Sequence, residues 1–335
     1  MLHCLYGVTS MTKHEPIRHH YVPRFLLKPF CFEDTKINYY DKNTGEVSVK
    51  DTKDIFVEKN FYRDDINNED DPMKLEKDLA RFESKISSII RKFLKDDEII
   101  VTTEEYEMLQ MFFAVMLYRG RNIKKEFSGD VTDEFRKFYS NYQEDQNFTD
   151  FWKRNLGYIV NCRSIKDVLD NPYIDEPMKL FLQRDTVGLF NSYFVVVERR
   201  GKEDFLLNEA YSSKMEVGQQ GRFHMALYNF YPISPKRMII KVCNGVETAP
   251  KTVTSVAWFK NDVLKKPKLI GKNQLRLNVR KIYEEEVKRI NSYFFHDSLE
   301  GIAFQDKHRV SLNEYADIYQ AYDDYNAYRV EQSTK

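Results

Sequence analysis

Two adjacent histidines, His19 and His20, followed by Tyr21, Val22, Pro23 and Arg24, are the residues of this chain best suited to chemistry. Imidazole titrates near neutrality, so one ring can ligate a divalent cation while its neighbour takes a proton from water. On that reading His19 and His20 are metal ligands, and His20 is also the general base. Successive strand residues point to opposite faces, so two adjacent rings converge only at a bend. Pro23 favours one by holding Val22 extended before the chain turns. Residues 25–30 (FLLKPF) would form a short helix beneath the pair, with Arg24 and Lys28 free to hold a phosphate. The competing reading has both imidazoles capping that helix or bonding backbone carbonyls, and spacing alone favours it.

Other polar residues offer less. Glu76 and Glu83 stand seven apart, on one helical face. They could be metal ligands, though solvated charge is the plainer account. Arg119 and Arg121 end an apolar helix, where a cation complements the helix dipole. Capping explains them more simply than phosphate binding, which stays open for Arg119. His296-Asp297 reads as a structural pair at a helix end. The segment EVGQQGRF reads as a surface turn, because it lacks the Lys-Ser/Thr of a phosphate-binding loop. GxSxG, HExxH and GxGxxG are all absent from the sequence.

The elements that must position these residues fall into three stretches. Residues 36–41 and 46–50 alternate around Lys42-Asn43-Thr44-Gly45, a hairpin signal. An acidic loop after residue 62 closes an N-terminal hairpin unit, residues 17–70. The middle, 71–186, is helical. Apolar residues recur at three and four along 73–94, and Thr102 with Glu105 forms a capping box for a helix over 106–119. Further helices are expected near 130–142, 148–169 and 175–185. The last stretch, 187–335, is mixed. Residues 189–197 and 204–207 should flank a hairpin at 199–202, and 237–242 is another strand. Helices are expected at 274–295 and after Ser311, whose capping partner is Glu314. The final helix carries a stripe of Tyr315, Ile318, Tyr319, Tyr322 and Tyr325, read first as a docking surface. The fold class is therefore α+β: a small hairpin unit, a central helical bundle, and C-terminal antiparallel strands with closing helices. Residues 17–335 make one large domain. Residues 1–16 are set apart as a disordered or upstream extension, since Met11 offers a second start.

The chain has 335 residues, 24 Phe and 22 Tyr, enough to fill a substantial core. Its 52 basic residues balance 52 acidic ones. That excludes a general coating of nucleic acid, which needs a basic excess, but allows a local basic cleft. Cys4, Cys31, Cys162 and Cys243 show no CxxC spacing, as expected for reduced thiols in a cytoplasmic protein. No apolar run approaches the ~20 residues of a membrane span.

HHYVPRFLLKPF, the hairpin KINYYDKNTGEV and then EKNFY resemble the family known as domain of unknown function 4238. The similarity continues through the helix bearing Glu76 and Glu83, the helix ending in Tyr118-Arg119, the strands near 193–209, PISP before RMII, and Asn291. Where that family shows a Ser-Asp-Asn-Pro-like turn, this chain has Leu207-Asn208-Glu209-Ala210. The resemblance implies that Glu209 replaces any working aspartate there. HHYVP also looks like the opening of the HNH, or His-finger, nucleases. That likeness implies a divalent ion (Mg or Mn) at His19, general-base catalysis by His20, and Asn60 as the nearby polar partner. Two functions follow as expectations. One is a metal-dependent nuclease or phosphodiesterase acting on DNA or RNA, with Arg24, Lys28 and Arg119 against phosphate. The other is a non-enzymatic interaction protein, used in conflict between phages and bacteria, with the Tyr-rich last helix meeting a partner protein.

Overall fold

A computed structural model describes residues 18–121, 123–124, 148–174, 179, 191–219, 223–244, 259 and 263–322. The first strand, β1 (Arg18–His20), leads into a single helical turn, α1 (Arg24–Leu27). The expected hairpin follows as β2 (Lys36–Asp41) and β3 (Glu46–Asp51), in register from Lys36↔Asp51 to Asp41↔Glu46. Gly45 closes its turn with φ of 73°, a conformation in which a side chain is strained. Then β4 (Val57–Lys59) returns to pair antiparallel with β1.

Helix α2 (Lys74–Lys95) buries Leu75, Leu79, Phe82, Ile86, Ile89, Ile90 and Phe93, the face its spacing predicts. A short strand, β5 (Glu98–Thr102), precedes α3 (Thr103–Arg119). Its capping box forms as expected. The Glu105 N–H donates to the Thr102 hydroxyl at 3.1 Å, and the Glu105 carboxylate accepts from the Thr102 N–H at 3.0 Å. The helix expected over 148–169 is instead two, α4 (Phe148–Asn161) and α5 (Ile165–Asp170). Ser164 restarts the chain by accepting the Asp167 N–H at 3.1 Å. The helices expected at 130–142 and 175–185 fall outside the described residues, except for Lys179.

The later strands are β6 (Ser192–Arg199), β7 (Leu207–Asn208), β8 (Ser213–Gln219), β9 (Phe223–Pro232), β10 (Arg237–Cys243), β11 (Lys268–Ile270) and β12 (Gln274–Ile282). After α6 (Glu284–Asp297) comes β13 (Gly301–Phe304). One sheet runs β11-β12-β6-β10-β9-β8, with β5 also on β12; another runs β3-β2-β13-β7. Three expectations are corrected here. Residues 274–282 are a strand, because Leu275, Leu277 and Val279 alternate with Arg276, Asn278 and Arg280 at period two. No hairpin joins 189–197 to 204–207, since β6 pairs with β10 and β12 while β7 pairs with β13. The strands are not all antiparallel, because β12 runs parallel to β6.

The larger sheet is covered on both faces. Phe194, Val196, Tyr231, Ile239 and Leu277 join the core under α2 to α5. Tyr193, Val195, Val197, Met238, Ile240 and Val242 join a second core under α6. Arg237 ties the first core together at the C-terminus of α2. Its guanidinium donates to the carbonyls of Phe93 at 3.1 Å and Asp96 at 2.8 Å, satisfying groups the helix leaves open. The closing helix begins at Tyr315. The expected reciprocal box is replaced by other bonds: the Ser311 N–H and hydroxyl donate to Glu203, the Glu314 N–H donates to the Ser311 carbonyl at 2.9 Å, and the Glu314 carboxylate pairs with Lys288. Its stripe docks on α6: Tyr319 stacks on His296 with centroids 3.7 Å apart, and Arg289 donates to the Tyr322 hydroxyl at 2.6 Å. Tyr325 lies outside the described residues. Among the described residues, no helix is long and apolar enough to cross a membrane.

Candidate active site around His20

The pairing of β1 with β4 decides what the two histidines can do. His19 and His20 are consecutive strand residues, opposite Glu58 and Val57, so their rings leave opposite faces. His19 is fully buried. Its Nδ1 accepts the backbone N–H of Tyr62 at 2.8 Å, and its ring stacks on the Tyr62 ring at 5.7 Å. His20 is half-buried. Its Nε2 lies 2.9 Å from the Thr52 carbonyl, which can only accept, so Nε2 carries the hydrogen. The Nδ1 lone pair is then left without a hydrogen-bond partner among the described residues. Burial lowers the pKa of His20, and Arg24 and Arg18 lower it further against the Thr52 bond and Glu83. The ring is therefore neutral at pH 7, with Nδ1 as its basic atom.

Behind His20 stands a buried polar node. Arg119 is 2 % exposed and has all three of its nitrogens engaged. Nη1 donates to Glu83 at 2.5 Å, Nη2 to the His20 carbonyl at 2.8 Å, and Nε to the Tyr62 hydroxyl at 3.1 Å. The Tyr62 hydroxyl in turn donates to the Arg119 carbonyl at 3.1 Å. Trp152 stacks on Tyr62, 6.0 Å away, and donates to the Tyr118 carbonyl at 2.8 Å. Arg119 thus braces the backbone of His20 and is no phosphate ligand. The plainer account of Glu76 and Glu83 as solvated charges also fails. Glu83 pairs with Arg119, and Glu76 is largely enclosed with Oε2 buried and unbonded. Burial pushes the Glu76 carboxyl up to about 7, with Arg119 opposing and Glu83 adding to the shift.

The remaining residues separate. Arg24 is exposed and close enough to His20 to bias its titration. Lys28 is exposed and acts electrostatically on Cys31 instead. Asn60 is an exposed turn residue with φ of 55°, whose carbonyl accepts the Arg63 N–H at 3.1 Å. Asparagine tolerates that left-handed conformation, which accounts for its presence without catalysis. Glu209 is buried at the β7 end, where it accepts from the Ser298 hydroxyl at 2.8 Å and from the N–H groups of Leu299 and Glu300. It clamps the turn before β13, and its charge also acts on Tyr21, the neighbour of His20.

A divalent ion does not fit the expected donors. The Nδ1 of His19 is spent on Tyr62, and His20 offers one lone pair on the other face. Among the described residues, no group of three His, Cys, Asp or Glu side chains could hold a metal. What the fold and site define is an α+β protein whose adjacent histidines do different work: one buried in structure, one presented beside an arginine. The chain belongs to the family described as Protein of unknown function (DUF4238), whose model matches residues 18–308. No curated protein and no solved structure matches it.

Sequence reasoning missed Glu76 as a perturbed carboxyl and Tyr62 and Thr52 as partners of the histidines. The spacing of Glu76 on the apolar face of α2, one residue after Leu75, was the available signal.

Proposed function

We propose that this chain hydrolyses phosphodiesters in nucleic acid, with His20 as general base and Arg24 holding the phosphate. The reading rests on one observation: His20 is anchored through Nε2 on Thr52, which leaves Nδ1 of the imidazole without a hydrogen-bond partner among the described residues. In the proposed step a water proton passes to Nδ1 as the water oxygen attacks phosphorus. The bond to the leaving sugar oxygen breaks, and the imidazolium returns the proton to that oxygen. Arg119, through its bond to the His20 carbonyl, positions the base. No step is routed through a metal, because the donors around His19 do not assemble one.

The test is cleavage of fluorescent DNA and RNA oligonucleotides by the purified chain, with EDTA in one arm and manganese in another. Substituting His20→Gln should lower the rate by about 10²–10⁴-fold, the usual worth of a positioned base. Cleavage that survives this substitution, or a folded wild-type chain that cleaves neither polymer, removes the assignment. The interaction-protein reading has less support, because the described part of its tyrosine stripe is docked on α6 within the chain.

A further inference from the structure

The strand β12 carries a second feature, hidden while residues 274–295 are read as a helix. Leu275, Leu277 and Val279 pack against the helical core. Arg276, Asn278 and Arg280 therefore leave the opposite face of the sheet. Lys268 of β11 stands directly across from Arg276 in the antiparallel register. Lys265 and Lys266 extend the row, and together these side chains line a shallow cleft in whose wall no carboxylate stands among the described residues. Glu98 of β5 stands opposite Asn278 on this face, and its carboxylate lies 3.6 Å from the Nε of Arg276, an ion pair too long for a hydrogen bond. The Nε of Arg276 is buried without a hydrogen-bond partner. Lys265, Lys268 and Arg280 meet no ion-pair or hydrogen-bond partner among the described residues. The whole chain is neutral, with 52 basic and 52 acidic residues, so this is a local concentration and not a general excess.

The form of the patch narrows its ligand. The cleft has only about 30 Å³ open to water-sized molecules, too little to enclose a nucleotide. The cations instead make a row: Arg276 and Arg280 lie about 13 Å apart along an extended strand. A row suits a linear polyanion that lies across the surface. Guanidinium forks also match phosphate oxygens better than they match scattered counter-ions. A lipid surface fits less well, because the exposed apolar residue of this hairpin, Leu269, lies opposite Leu275 and so on the other face.

We propose that the β11–β12 face binds the phosphate backbone of a nucleic-acid strand. This goes beyond the hydrolase reading, since none of its residues belongs to the surroundings of His20, and it stands even if His20 is inert. Anisotropy of a labelled 20-nucleotide probe, titrated over a range of salt and checked for integrity afterwards, is the experiment. The wild-type chain should bind at low salt, with log Kd rising steeply with log salt. Replacing both Arg276→Ala and Arg280→Ala should weaken binding at least 10-fold and reduce the slope by about 1.4, the value for two lost contacts to single strands. The exposed pair Lys265→Ala and Lys268→Ala should act in the same direction with the thermal melt unchanged. Lys50→Ala on β3 should leave binding as it was. The proposal is overturned if the folded chain does not bind the probe, or if neither pair weakens it. It is equally overturned if polyglutamate or anionic phosphatidylserine vesicles bind more tightly than the oligonucleotide.

Discussion

Two enclosed carboxylates, the buried Glu209 beside β13 and the half-buried Glu76 beneath Arg119, meet enclosure in opposite ways. Glu209 receives donors on both oxygens, from the Ser298 hydroxyl at 2.8 Å and the Glu300 N–H at 3.2 Å, with the Leu299 N–H between. Glu76 has Oε2 buried with no donor, and its carboxyl rises to about 7. Enclosure alone therefore does not set the role of an acidic side chain. The donors around it decide how much of the cost of burying its charge is offset. The first region holds two parts of the chain together. The second holds a proton next to the brace of His20.

The largest test of this contrast removes what the two glutamates of α2 share. Arg119→Met leaves Glu83 without its cation and strips a donor from the His20 carbonyl. The expected loss is about 3–5 kcal/mol in urea denaturation, as for a broken buried pair. A loss under about 1 kcal/mol would mean the node contributes little. Next comes Glu76. Its folded pKa lies above the unfolded value of 4.5, so the native state keeps the proton longer. Stability is fully present below about pH 4.5 and is lost as pH rises towards 7. The variant Glu76→Gln escapes that loss, so its stability relative to wild type should climb by up to about 3 kcal/mol between pH 4 and pH 8. An offset that stays constant with pH would show that Glu76 is not perturbed. The smallest effect belongs to Glu209→Gln, which keeps an acceptor but loses its charge against three donors. About 1–2 kcal/mol of stability is expected to be lost in urea denaturation.

Much of this fold was legible because local pattern and tertiary need agreed. The β2–β3 hairpin, the apolar face of α2 and the Thr102 capping box form where the alternation, periodicity and box chemistry put them. Residues 274–282 were misread for a physical reason. The strand alternation in QLRLNVRKI runs into the helix that Glu284 opens, so one apolar repeat merges into another. The site was half legible. The histidine motif marks the right place, but its division of labour depends on Thr52 and Tyr62, which are 32 and 43 positions away. Asn60 and Glu209 are polar residues of the right type whose backbone conformation and long-range donors give them other duties. No spacing rule reports a donor that arrives from the far end of the chain.

The pairing of β2 with β13 has a consequence for how the protein is made. Gly301 sits so close to the Tyr40 carbonyl and the Tyr39 ring that a methyl group there would collide with both. The β2–β3 hairpin thus waits for a segment far later in the chain to leave the ribosome before its sheet is complete. During that interval one margin of β2 is an open template for any strand that passes. A nascent or shortened polypeptide ending before Gly301 would display that margin permanently, and should clump in light scattering where the 335-residue chain does not.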